Sequence, residues 1–202
     1  RDQMFTHEFV GANFTVTSLL GNKKHADIAA QRLKSAAAIE VNAPESVKPG
    51  SMVNLTVRVT NVGAGHNLPT SLTEVRQMWL DVSVVDADGK EIFRSGALNP
   101  QGDLDEEARI FNALAVDKDG RHTVKPWEIV RFEYNRTIPP KGTATEKFSF
   151  LAPQSGKGPV KVRVVLRYRS YPQSVANMLL GKDAPVLPIV DMAEKHATIS
   201  VL

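Results

Sequence analysis

The chain has no cysteine in its 202 residues. That absence excludes disulfide bridges, thiolate metal centres, cysteine nucleophiles and covalent haem attachment through C-x-x-C-H together. Any redox group the chain works with must be held by something else. The absence does not fix a compartment, because reduced cytosolic proteins and disulfide-free exported ones both allow it. Aromatics are sparse, at 6%. No apolar run approaches the roughly 20 residues that a membrane helix needs, so no membrane span is expected. An excess of one charge is lacking too. Twenty-five Lys and Arg face 22 Asp and Glu for a net charge of +3, and the basic residues are scattered, which argues against a nucleic-acid partner. The chain starts at Arg1 without an initiator Met or a basic-then-apolar leader, so it reads as a fragment, a cleaved product or a separate subunit, with any export signal upstream.

What is present is ordinary globular usage, 42% apolar and 23% charged. Residues 1–38 read as an N-terminal arm followed by a helix. The run HADIAAQRLKSAAA from His25 to Ala38 is rich in helix formers, and Ile28, Leu33 and the alanines form one apolar stripe. From 39 to 202 the period changes to two. In SMVNLTVRVTNV at 51–62, Val53, Leu55, Val57 and Val59 share one face. Similar strands are expected at 78–86, 91–95, 128–138, 144–152, 160–170 and 197–202, joined by turn sequences such as DADGK and PPKGT. About seven short strands at this spacing predict a mainly β chain, an antiparallel immunoglobulin- or fibronectin-like β-sandwich. Two insertions interrupt it, at about 97–127 and 171–193, the second with a short helix in QSVANMLLG.

Chemistry is thinly signalled. In VGAGHNLPTS the glycines permit tight or positive-φ backbone and Pro69 stiffens the exit, so His66 can project from a rigid loop as a ligand would, or serve as a loop histidine bonded to nearby backbone. His7 stands between Phe5 and Phe9. It can face a flat apolar cofactor such as haem or anchor a terminal arm. His25, His122 and His196 read as surface residues, and no histidine pair has helical zinc-site spacing. The acidic Asp103, Asp105, Glu106 and Glu107, and Asp117 with Asp119, miss the calcium-loop pattern and read as solvated turns. There is no G-x-S-x-G, no phosphate-binding glycine loop and no marked carboxylate pair, so an enzyme is not expected. Asn13, Asn54 and Asn135 begin N-x-T sequons, which in strands also serve a polar face.

Several stretches, in order, carry a resemblance: THEFVGAN at 6–13, LTVRVTNVGAGHNLPTS at 55–71, VRQMWLDVSVVDADGKEIFRSG at 75–96, VVLRYRSYP at 164–172 and LPIVDMA at 187–193. Together they resemble the C-terminal, haem-free β-sandwich region of exported bacterial multihaem c-type cytochromes. The resemblance implies a non-catalytic accessory domain or subunit in periplasmic or extracellular electron transfer. It would pack on haem c that another region or chain holds covalently, with His7 and His66 as candidate axial ligands of haem iron or close neighbours. The implied partner is a haem-bearing cytochrome region or subunit, with a homo-oligomer or filament as a further expectation. Arg76, Trp79, Arg167 and Tyr168 are the expected sandwich or interface anchors. The alternative, from the fold alone, is a bacterial surface adhesion or carbohydrate-binding module.

Overall fold

The computed structural model describes residues 8–154 and 158–202. Two helices open it, α1 (Phe14–Leu19) and α2 (Lys23–Ala36). Each begins at an asparagine whose side-chain oxygen accepts from a backbone N–H three residues on, Asn13 from Val16 and Asn22 from His25. Short polar side chains fill that capping role best. Along α2, Ala26, Ala29, Leu33 and Ala36 are buried at helical spacing, which turns one stripe inward. His25, expected at the surface, is half-buried there, close to the Asn22 amide.

The helix stops two residues earlier than its composition predicts. Ala37 is extended (φ −134°, ψ 152°) and begins β1 (Ala37–Asn42), which pairs antiparallel with β3 (Met52–Asn61). Alanine's helix preference is worth less than a ladder of backbone bonds over a buried face. β3 pairs in turn with β9 (Thr143–Leu151), completing a three-stranded sheet. The larger sheet runs β2 (Ser46–Val47), β11 (Val190–Val201), β10 (Val160–Arg169), β4 (Gln77–Val85) and β5 (Glu91–Ser95), with β6 (Ile110–Phe111) beside the other end of β4. Its pairings are antiparallel except β2 with β11.

The two sheets share one core, giving a β-sandwich. Val53, Leu55, Val57 and Val59 of β3 are buried with Met78, Leu80, Val82 and Val84 of β4 and Val162, Val164 and Leu166 of β10. Leu33 and Ala36 of α2 belong to the same cluster. Each fully buried Val or Leu contributes roughly 1.5–3 kcal/mol, so this alternation is the main source of stability. β7 (Ala113–Val116) and β8 (Arg131–Asn135) form a separate ribbon, and all five β8 residues are exposed. The strand expected over 128–138 is shortened by a 3-10 turn at Pro126–Glu128. β11 starts at Val190 and takes in a stretch expected to belong to the second insertion.

The first insertion is pinned to the larger sheet, and the second is tied to itself. Trp79, fully buried, donates from Nε1 to the Gly96 carbonyl at 3.1 Å. Arg169, 2% exposed, donates from Nη1 to the Gly102 carbonyl at 2.8 Å and from Nε to Gln77, with its guanidinium 5.7 Å from the Trp79 ring. Burial pulls Arg169 down to about 10, against the opposing pull of Asp103, and leaves it charged at neutral pH. Behind α3 (Gln173–Leu180), the buried Gln173 amide donates to the Pro185 carbonyl and accepts from the Leu187 N–H. No helix among the described residues is long and apolar enough to cross a membrane.

Candidate functional site

β3 ends at Asn61, which is 0% exposed and spends its whole side chain on the loop that follows. Its Nδ2 donates to the His66 carbonyl at 2.9 Å and the Ile138 carbonyl at 3.1 Å, and its Oδ1 accepts from the Ala64 N–H at 3.0 Å. Leu68 and Ile138 exchange backbone bonds at 2.8 Å, and the Leu68–Pro69 peptide is cis. The loop is therefore tied to the segment before β9 at several points. On its other side, the Val62 and Gly63 N–H groups both donate to the Ala36 carbonyl, satisfying the C-terminus of α2.

The loop glycines provide the tight backbone that was expected rather than the positive φ. Neither Gly63 nor Gly65 has positive φ; among the loop's non-glycine neighbours it is Ser71 that does (φ 69°). Gly63 is needed for close approach, because a Cβ there would lie 2.2 Å from the Ser35 carbonyl oxygen. Gly65 has open space around it.

His66 is exposed and lines a cleft of about 200 Å³. Leu33, Leu68, Pro69, Arg76 and Tyr168 line it together with the arm at Gly11–Asn13. A second hollow of about 320 Å³ adjoins it, sharing His66 and Leu68 and reaching Gly63 and Arg32. His66 Nδ1 lies 2.9 Å from the Asn67 carbonyl oxygen, which can only accept, so Nδ1 carries the proton. In the neutral ring Nε2 then keeps its lone pair, the form in which an imidazole binds a metal. Burial raises the Tyr168 phenol above its ordinary value, with nearby Arg76 and a bond to Ser170 opposing.

His7 lies outside the described residues; the arm that follows it walls the cleft. His122 and His196 are exposed and pair with Glu133 and Glu194. The acidic runs serve their own turns: Asp105 accepts from the Glu107 and Gly96 N–H groups, and Asp117 from Asp119 and Arg121. Among the described residues no group of three or more His, Asp or Glu side chains is placed to hold a metal ion. Of the expected anchors, Trp79 and Tyr168 are buried, Arg76 donates to the Ser170 carbonyl at 2.9 Å, and Arg167 pairs with Asp81 at 2.6 Å and Asp191 at 3.1 Å. Asn61 and the arm at Gly11–Asn13 were not anticipated as parts of the site.

Among solved structures, the chain is similar to a penta-haem cytochrome c552 from Thermochromatium tepidum, with a TM-score of 0.64, 18% identity and coverage of 84% of this chain. It spans 41% of that cytochrome's length. A CARDB domain from Pyrococcus furiosus aligns at a TM-score of 0.38 and 11% identity, over 82% of this chain and 87% of that one. No family model matches the chain, and no curated protein matches it by sequence. The cytochrome match is a likeness of fold.

Proposed function

We propose that this chain is a non-catalytic accessory domain or subunit of a multihaem c-type cytochrome, built on an immunoglobulin-like sandwich and working in periplasmic or extracellular electron transfer. The observation that carries this reading is His66. Its Nδ1 is engaged by a backbone carbonyl and its Nε2 is left for a ligand, in the lining of a largely apolar cleft. The likeness of fold to a penta-haem cytochrome supports it.

The donor set fits one axial nitrogen for a haem and does not fit covalent attachment, since the chain has no cysteine. Haem c would be held by another region or chain and would supply the redox-active iron. Here His66 offers Nε2, Leu33, Leu68 and Pro69 exclude water, and Asn61 holds the loop. The cleft is smaller than the roughly 300–1,000 Å³ of pockets that enclose small ligands, which suits covering an edge of a group held elsewhere. His7 is the second candidate ligand.

The test is an absorbance titration of the purified chain with ferric haem. The wild-type chain is expected to shift the Soret band through nitrogen ligation, and His66→Ala to weaken binding by about tenfold or more, a loss of about 1.4 kcal/mol. A shift that survives in His66→Ala and vanishes in His7→Ala would move the ligand to the arm. No shift in any form would remove the haem role.

A second reading has its own observation. Trp127, Phe132 and Tyr134 are exposed on and beside the β7–β8 ribbon, Trp127 at 78%. Exposed aromatics of this kind mark binding surfaces, as an adhesion or carbohydrate-binding module would need. Retention on insoluble polysaccharide, lost in Trp127→Ala, together with a silent haem titration, would put that reading first.

A further inference from the structure

Arg76 stands in the same cleft wall as His66. It is half-buried, and Nη1 donates to the Ser170 carbonyl at 2.9 Å. No carboxylate among the described residues lies within ion-pair distance of it. Arg94, Arg109, Arg136, Arg163 and Arg167 each have one. A guanidinium presents five donors in a planar fork, and a partly desolvated one gains most from a carboxylate that two of them can grip. Arg76 lines this cleft with the apolar Leu33, Leu68 and Pro69, and with Thr70, Ser71 and Tyr168. A largely apolar cleft with a cation in its lining that has no carboxylate partner suits a flat apolar molecule with an acid on its edge.

We infer that the cleft takes the carboxylate-bearing edge of a haem, with Arg76 receiving a propionate while His66 offers its ring nitrogen. The inference rests on the haem reading of His66 and adds an anion-binding residue to it. It also sets a requirement on the ligand: a porphyrin without free carboxylates should bind the same cleft less well.

Ferric protoporphyrin and its dimethyl ester, titrated separately into the wild-type chain, test this. Both carry the same iron and macrocycle, and only the acid edge differs. The diacid is expected to bind about tenfold more tightly, the size of one charge-assisted contact. Arg76→Gln, which keeps an amide donor, should abolish the preference, and Arg76→Lys, which keeps the charge, should retain part of it. Equal binding of the two porphyrins by the wild-type chain overturns the inference without any variant and leaves His66 ligation standing. So does a preference that survives in Arg76→Gln. Failure of both porphyrins to give a His66-dependent spectrum overturns the inference and the haem reading together.

Discussion

At the scale of single residues, the site depends most on a side chain that does no chemistry. Asn61 holds three backbone groups from a fully buried position, and an alanine there leaves the His66 carbonyl and the Ala64 N–H without this partner, while the Ile138 carbonyl keeps only its bond from the Leu68 N–H. Each unsatisfied buried group costs roughly 1–3 kcal/mol, partly recovered if the loop opens to solvent. Asn61→Ala is therefore expected to lower stability by about 2 kcal/mol in urea unfolding and to weaken haem binding, although it leaves His66 untouched. An equal urea midpoint would show that the loop is held by other means. His66 stood out in the sequence as a candidate because a turn has no use for an imidazole. Asn61 was not, because asparagine is ordinary before a loop and one of its partners is 77 residues away in the chain.

At the scale of elements, the junction between α2 and the His66 loop is set by one close approach. Gly63→Ala must push the end of the helix and the loop apart, since backbone blocks the added methyl and no flexible side chain can yield. Overpacking of this kind costs about 1–3 kcal/mol. Gly65→Ala, with open space around it, should cost far less. Thermal unfolding of the two variants checks this, and equal midpoints would rule out the close approach as the constraint. The elements that could be read in advance were the long alternating ones: β3, β4, β9 and β10 sit close to their expected bounds because one face of each is core. β1 was hidden because its leading alanines continue a helical composition, and β7 because ALAV is too short to show a period beside the DKDG turn. The start of β11 was masked by the proline-broken stretch before it. Local signals fail where pairing with a distant strand decides the conformation.

For the whole molecule, the outer face of the larger sheet shows how a sandwich keeps a polar surface on a nearly closed structure. Asp81, 1% exposed at the middle of β4, lies 2.8 Å from Arg94 and 2.6 Å from Arg167. These arginines also reach Glu91 and Asp191 on the flanking strands, so four strands are joined through one carboxylate. Burial raises the Asp81 pKa, and the pull of Arg167 and Arg94 only partly offsets it. The sign follows from linkage. In the window above 3.8 the folded chain keeps a proton that the unfolded chain has lost, so Asp81's contribution to stability is fullest in acid and falls as pH rises through its folded value. Glu194, held below its ordinary value by its bond with Arg163, works in the opposite direction: its contribution is present above its unfolded value and is lost as pH falls. Asp81→Asn should therefore cost less stability at pH 7 than at pH 3, even though it removes two ion pairs, because Arg94 and Arg167 keep their second partners while a buried charge disappears. Urea unfolding of both proteins at the two pH values measures the difference. A larger cost at pH 7 would mean that the arginines overcome burial and that the sheet is held together by the charge on Asp81 rather than in spite of it.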